Sequence, residues 1–136
     1  LNIIKTTGLQ GRWQQLQVNP KVICDTAHNK NGLEIVLNQI QEEVFDQLHF
    51  VLGVVDDKDL DEILPLFPIS AKYYFSRPNI PRGLSASSLQ QKAKDYGLIG
   101  KVYDSVSDAY QDAINTAAKA DFIYIGGSTF VVAEIL

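Results

Sequence analysis

Methionine is absent from all 136 residues, position 1 included, so the expectation is a fragment or processed segment of a longer chain. Cysteine is nearly absent. The one residue, Cys24, lies inside an apolar run, which rules out an internal disulfide and a cysteine-rich metal cluster and fits a reducing, cytoplasmic compartment. With His28 and His49 the only imidazoles, a zinc site is not expected. Basic residues are outnumbered, 12 Lys and Arg against 16 Asp and Glu, and the net charge of -4 speaks against nucleic acid or an anionic membrane surface as partner. No apolar run approaches the roughly 20 residues of a membrane span. The opening "LNIIKTTGLQGRW" lacks the basic-then-apolar order of a signal peptide. Neither the phosphate loop G-x-x-x-x-G-K-[ST] nor the nucleophile elbow G-x-S-x-G occurs. The phosphates of any nucleotide would therefore have to be held mainly by something else.

What is present reads as one domain over residues 1–136, with 46% hydrophobic residues supplying a core. After a turn signal at Gly8 to Gly11, "RWQQLQV" alternates as a strand and "NPK" ends it; "KVICD" is a short buried strand. From Gly32, the apolar residues Leu33, Val36, Leu37, Ile40 and Val44 recur at helical spacing. "LHFVLGVV" is a strand, "DDKDLDEILPLF" a short helix opened by acidic residues and stopped near Pro65, and "AKYYFS" a further strand. "SASSLQQKAKDYG" carries Ser caps in front and Gly97 behind, the marks of a helix. "KVYD" then leads to a helix capped by Ser105 with Val106, Ala109, Tyr110, Ala113, Ile114 and Ala117 on its apolar face. "DFIYIGG" is the last strand, and "STFVVAEIL" begins the last helix. Short β-branched runs alternating with amphipathic helices predict an α/β, Rossmann-like fold: a mostly parallel sheet flanked by helices on both faces.

In such a sheet, ligands gather at the carboxyl ends of the strands, where helix N-termini point. Asp25 to Asn29, Gly53 to Lys58, Ser76 to Arg82, Asp104 and Gly126 to Thr129 all fall there. Only three residues are arginine, and each adjoins a turn former: Gly11-Arg12, Arg77-Pro78 and Arg82-Gly83. A guanidinium fork in a loop suits carboxylate or phosphate, although solvated loop charge is the plain alternative; Arg12 is the favoured functional one. His28 fits three roles: orienting a ligand, carrying a proton, or capping the helix together with Asn29. "GGST" at 126 to 129 can present N–H groups to an anion or be an ordinary strand exit. The acidic run Asp56, Asp57, Asp59, Asp61 and Glu62 reads as complement to a helix dipole, since it lacks the spacing of a calcium loop, and no metal site is assigned.

Taken in order, "GRWQ" at 11 to 14, "DTAHN" at 25 to 29, "GVVDDKD" at 53 to 59, "NIPRG" at 79 to 83 and "GGSTFVVAEI" at 126 to 135 resemble the motifs of one family. It is the C-terminal domain of folylpolyglutamate synthase/dihydrofolate synthase, within the Mur ligase superfamily. Those motifs are Gly-Arg-aromatic, D-G-A-H-N, G-x-x-x-D-K-D, N-x-P-R-A and T-G-S-x-x-x-V-G-E. Thr26, Gly126, Gly83 and Ala133 depart from them. The resemblance implies an ATP-dependent amide ligase that activates a folate or dihydropteroate carboxylate as an acyl phosphate and joins it to L-glutamate. It further implies a separate N-terminal P-loop domain that holds magnesium and much of the pterin site, so that the isolated chain would be inactive, and a monomer. Position by position, Arg12 matches an arginine reaching the ATP phosphates, and Asp25 an acidic residue accepting from the ribose hydroxyls. His28 and Ser128 match positions near the glutamate and phosphate end, His28 being the candidate for a catalytic role. Lys58 is a carboxylate partner by comparison with the related ligases, Arg82 a supporting position, and Asn29 a local hydrogen-bonding support. Two other readings stay open: a free-standing domain binding an anion or nucleotide without catalysis, and the C-terminal domain of a peptidoglycan or cyanophycin ligase.

Overall fold

A computed structural model describes residues 11–56 and 59–136. The turn signal at Gly8 and the candidate Lys58 lie outside the described residues. Among the described residues, six strands form one sheet in the order β1-β2-β6-β3-β4-β5, with β1 (Gln14–Gln17), β2 (Lys21–Cys24), β3 (Leu48–Leu52), β4 (Lys72–Phe75), β5 (Gly100–Val102) and β6 (Phe122–Gly126). Every pairing is parallel except β1 with β2, an antiparallel edge in which Gln14 faces Cys24. The central strands β3 and β6 are buried at all positions, as their unbroken apolar runs require of strands covered on both faces.

Side chains alternate between the two faces. Ile23, Phe50, Leu52, Tyr73, Phe75, Phe122 and Tyr124 pack with α1 (Lys30–Gln41), α2 (Leu60–Ile63) and α3 (Ala86–Lys94). Val22, Cys24, Val51, Tyr74, Ile123 and Ile125 pack with α4 (Val106–Thr116) and α5 (Thr129–Ala133). At the centre of the first layer, the Phe50 ring lies 4.7 Å from Tyr124, 5.0 Å from Phe67 and 5.5 Å from Tyr73, centroid to centroid. Pairs of this kind add about 0.5–1.5 kcal/mol each beyond area burial.

Leu33, Val36, Leu37 and Ile40 form the buried stripe of α1, but the helix ends at Gln41 and Val44 is fully exposed. The periodicity ran past the point where the backbone leaves the helix. The acidic helix α2 ends at Ile63, near Pro65 as its sequence suggests, and a 3-10 turn, Leu64–Leu66, carries the chain on through the proline. A proline in the first positions of a helical turn loses no hydrogen bond, so the chain runs through it. Ser85 and Ser105 cap α3 and α4 through their hydroxyls, and Gly97 follows α3 with φ +78°.

At the amino ends of the strands, buried His49 places one ring nitrogen 2.8 Å from Asp121 and the other 2.8 Å from the Tyr74 hydroxyl. Burial would raise the Asp121 carboxyl, but the bonds it accepts from His49, Ala118 N–H and Gln47 N–H outweigh this and hold it below its ordinary value. Among the described residues, no helix is long and apolar enough to cross a membrane.

Candidate functional site

The antiparallel pairing of β1 brings its start to the carboxyl ends of the parallel strands, beside the exit of β2. Arg12 sits there in a turn whose neighbours carry the constraint. Gly11 has φ +80° and Trp13 φ +45°. The first is free for glycine; the second costs a tryptophan of order 1–2 kcal/mol, so surrounding contacts must hold it. They do: Trp13 N–H donates to Asp25 Oδ2 at 2.7 Å, Thr26 N–H to Gly11 O at 2.7 Å, and Gly11 N–H to the buried Gln14 Oε1 at 2.7 Å. The Trp13 ring leans on Phe122 with centroids 6.2 Å apart. Arg12 itself is exposed, and no described residue bonds its guanidinium.

Asp25 is 5% exposed. Its second oxygen accepts from Ala27 N–H at 2.8 Å, so one carboxylate ties the β1 turn to the loop after β2. That loop opens α1: Asn29 Oδ1 accepts from Gly32 N–H at 2.9 Å as its N-cap, and exposed His28 rests a ring nitrogen 3.3 Å from Thr26 O. Of the roles open to Asn29 and His28, helix capping thus falls to Asn29, leaving the imidazole accessible. Arg12, Asp25, His28 and Asn29 line one cavity of about 440 Å³ together with Trp13 and with Ile35, Val36 and Gln39 of α1. Burial first, then the Asp25 charge, pushes the neighbouring Cys24 thiol up to about 12, which leaves it inert at neutral pH.

Ser128 lies at the adjacent exit of β6, buried, its hydroxyl accepting from Phe130 N–H at 3.1 Å as the cap of α5. It does not line the Arg12 cavity. The turn before it demands glycine: Gly127 has φ +101°, and a Cβ there would stand 2.5 Å from Gly53 O. Gly53 N–H donates to Gly126 O at 3.3 Å, which joins the exits of β3 and β6.

Arg77 and Arg82 belong farther along the same edge. The Arg77 guanidinium donates to Gly83 O at 2.8 Å and Ile80 O at 3.0 Å, pinning the "PNIPRG" loop, so its work is structural. Arg82 is exposed, and its carbonyl accepts from Asp56 N–H at 2.7 Å. Glu134 caps the same loop by accepting from Asn79 N–H at 2.7 Å. Sequence reading did not single out Trp13, Gln14, Ile35 or Gln39 as part of the site. The first two stand inside the "GRWQ" motif, while nothing in the helix pattern marks Ile35 beyond its being apolar on the solvent side of α1.

An open, mostly parallel α/β sheet with an arginine, a carboxylate and an accessible imidazole around one cavity at its strand exits is a Rossmann-like domain. The chain belongs to the family described as Mur ligase, glutamate ligase domain, which it matches over residues 11–129. It is 30% identical over 125 residues to the probable bifunctional folylpolyglutamate synthase/dihydropteroate synthase of Halobacterium salinarum, covering 91% of this chain and 15% of the relative. The solved structure of E. coli FolC in complex with DHPP and ADP superposes with a TM-score of 0.85 at 29% identity, over 93% of this chain and 30% of that one. The bifunctional folylpolyglutamate synthase/dihydrofolate synthase of Yersinia pestis, complexed with AMPPNP and Mn, gives 0.80 at 26% identity, over 94% and 30%. The chain thus spans about a third or less of the length of these relatives.

Proposed function

We propose that this chain is the C-terminal domain of an ATP-dependent folylpolyglutamate synthase/dihydrofolate synthase, working in the cytoplasm as part of a longer monomer. The observation that carries the reading is Arg12: an exposed guanidinium with no partner among the described residues, on a clamped turn, at the mouth of a cavity shared with Asp25 and His28. Such a group is kept ready for an oxyanion that arrives with another domain. In this reading ATP and magnesium are held chiefly by a preceding P-loop domain, and Arg12 reaches the phosphates on closure. Asp25 accepts from the ribose hydroxyls with the lone pairs its two backbone bonds leave over. The folate or dihydropteroate carboxylate takes the terminal phosphoryl group, releasing ADP. The amino nitrogen of glutamate then attacks the acyl carbon, the new C–N bond forming as the C–O bond to phosphate breaks and the nitrogen gives up a proton.

His28, exposed beside the cavity, is the group of this chain suited to receive that proton or to orient the glutamate. Ser128 donates toward the glutamate or phosphate end while its oxygen caps α5, and Lys58 and Arg82 support the carboxylate. Closing one domain over the other excludes water from an acyl phosphate that would otherwise hydrolyse.

The test is a ligase assay on the longer enzyme with ATP, magnesium, glutamate and either dihydropteroate or tetrahydrofolate, with Arg12→Ala alongside. Glutamate-dependent ADP release that falls at least about tenfold in the variant supports the reading, such a drop being typical for one lost transition-state donor. Absence of release with either pterin, or turnover by the 136-residue chain alone, overturns it.

A further inference from the structure

The turn carrying Arg12 is fixed more firmly than an exposed loop requires, and one of its clamps is a residue in an unexpected place. Gln14 opens β1 in phase with the core residue Leu16, and it is 2% exposed where Leu16 is 3%. An apolar side chain is the ordinary occupant of such a position, because burying an amide loses its hydration and is tolerated only where it gains a hydrogen bond. The bond Gln14 makes runs backward along its own chain: its Oε1 accepts from Gly11 N–H at 2.7 Å, on the residue before Arg12. The residue after Arg12 is held by Asp25 Oδ2 through Trp13 N–H, also at 2.7 Å. The backbone on both sides of Arg12 is thereby pinned while the side chain between the pins has no partner among the described residues.

We propose that Gln14 is a positioning residue for Arg12: its buried amide oxygen, acting with Asp25, holds the Gly11–Trp13 turn in the one conformation that presents the guanidinium to an incoming oxyanion. The inference rests on the reading of Arg12 as a phosphate contact. Holding the turn beforehand means that less backbone freedom is lost when the ligand arrives, so more of the arginine's interaction appears as binding. Gln14 touches no ligand itself.

Three variants of the longer enzyme test this: Gln14→Met, which keeps the volume and removes the acceptor, Arg12→Ala, and the two combined. Gln14→Met is expected to lower kcat/KM for ATP about 3- to 10-fold, the effect of losing one positioning bond, and to add nothing once Arg12 is already alanine. The same factor in both backgrounds, or no effect in the first, overturns the positioning role. Arg12→Ala with unchanged kinetics refutes the phosphate reading instead, and the role of Gln14 falls with it.

A second measurement reads the turn directly in the 136-residue chain, where Trp13 is the only tryptophan. Gln14→Met is expected to increase quenching of its fluorescence by acrylamide, and Gln14→Glu, which restores an acceptor oxygen, to return it to the wild-type value. Equal quenching in Gln14→Met and wild type overturns the clamp, and a Gln14→Met that does not fold leaves Gln14→Glu against wild type to decide: a rise in quenching there despite the retained acceptor counts against it.

Discussion

Replacing Asp25 should be costly to the fold and replacing Arg12 should not, although both face the same cavity. Asp25→Ala removes a buried carboxylate that accepts from Trp13 N–H at 2.7 Å and Ala27 N–H at 2.8 Å. Hydrogen bonds to a charged acceptor contribute about 1.5–3 kcal/mol each. The adjoining cavity admits water to the stranded donors, so the lower end applies, about 3–4 kcal/mol in all. For a domain of this size that corresponds to a fall in Tm of about 10–15 °C. Asp25→Asn keeps one acceptor and turns an amide N–H₂ against the other donor, which places it between alanine and wild type, at about 2 kcal/mol. Arg12→Ala, with no bond to lose among the described residues, should stay within about 0.5 kcal/mol. The assay is equilibrium urea unfolding of the 136-residue chain followed by circular dichroism, with thermal melts beside it. An Asp25→Ala variant within about 1 kcal/mol of wild type would refute the clamp, given the bond energies above. A cost for Arg12→Ala equal to that of Asp25→Ala would refute the separation of a structural carboxylate from a guanidinium that no described residue bonds.

Gly127→Ala puts a Cβ 2.5 Å from Gly53 O and 2.6 Å from Leu52 Cδ1 at φ +101°, and should lose more than about 2 kcal/mol or fail to fold; a Tm equal to wild type would count against the tight β6 exit. Cys24, pushed up to about 12 and buried, should resist thiol reagents at pH 8 in the native chain and react at once in urea; rapid native reaction would contradict its burial. Asp121 is held below its ordinary value of 3.8, so its contribution is present above that pH and fades as pH falls through the lower folded value. Asp121→Asn should therefore flatten the acid limb of stability below about pH 4, and an unchanged limb would refute the His49 pairing as its cause.

The sheet was legible because its central strands leave little choice. "FVL" and "FIYI" are too apolar for any exposed face, and the Ser caps and Gly97 mark where α3 and α4 begin or end. The misreading of α1 arose where periodicity outlasts structure. Val44 continues the apolar spacing of α1 past Gln41, and spacing alone carries no information about where the chain turns away. Pro65 does mark the end of α2 at Ile63, because proline cannot sit in a helix interior, while the 3-10 turn that accepts it at its opening left no mark in the sequence. In the site, "GRW" and "DTAHN" could be set on one edge by topology, but not the bonds that join them. Gln14 is one of three glutamines in "QQLQ", and only the pleat, together with a backward-reaching amide, separates it from its neighbours.

The three arginines show why the site had to be read from geometry. Each adjoins a turn former, and by composition they are equivalent. Arg77 is engaged by carbonyls of its own loop and has little left to offer a ligand. Arg12 is the opposite case: its backbone is pinned on both sides and its head is bonded by no described residue. In open water a phosphate 4 Å from such a guanidinium gains only about 1 kcal/mol per unit charge, whereas at the effective dielectric of a covered protein surface the same pair gains about 4 kcal/mol. Under the proposed function, Arg12 is therefore a weak anion site while its edge of the sheet faces solvent and a strong one when the other domain closes over it. The difference, about 3 kcal/mol per phosphate charge on the same scale, favours the closed arrangement only when the anion is present. Under the proposed function, that coupling makes nucleotide binding the event that seals water out before the acyl phosphate forms.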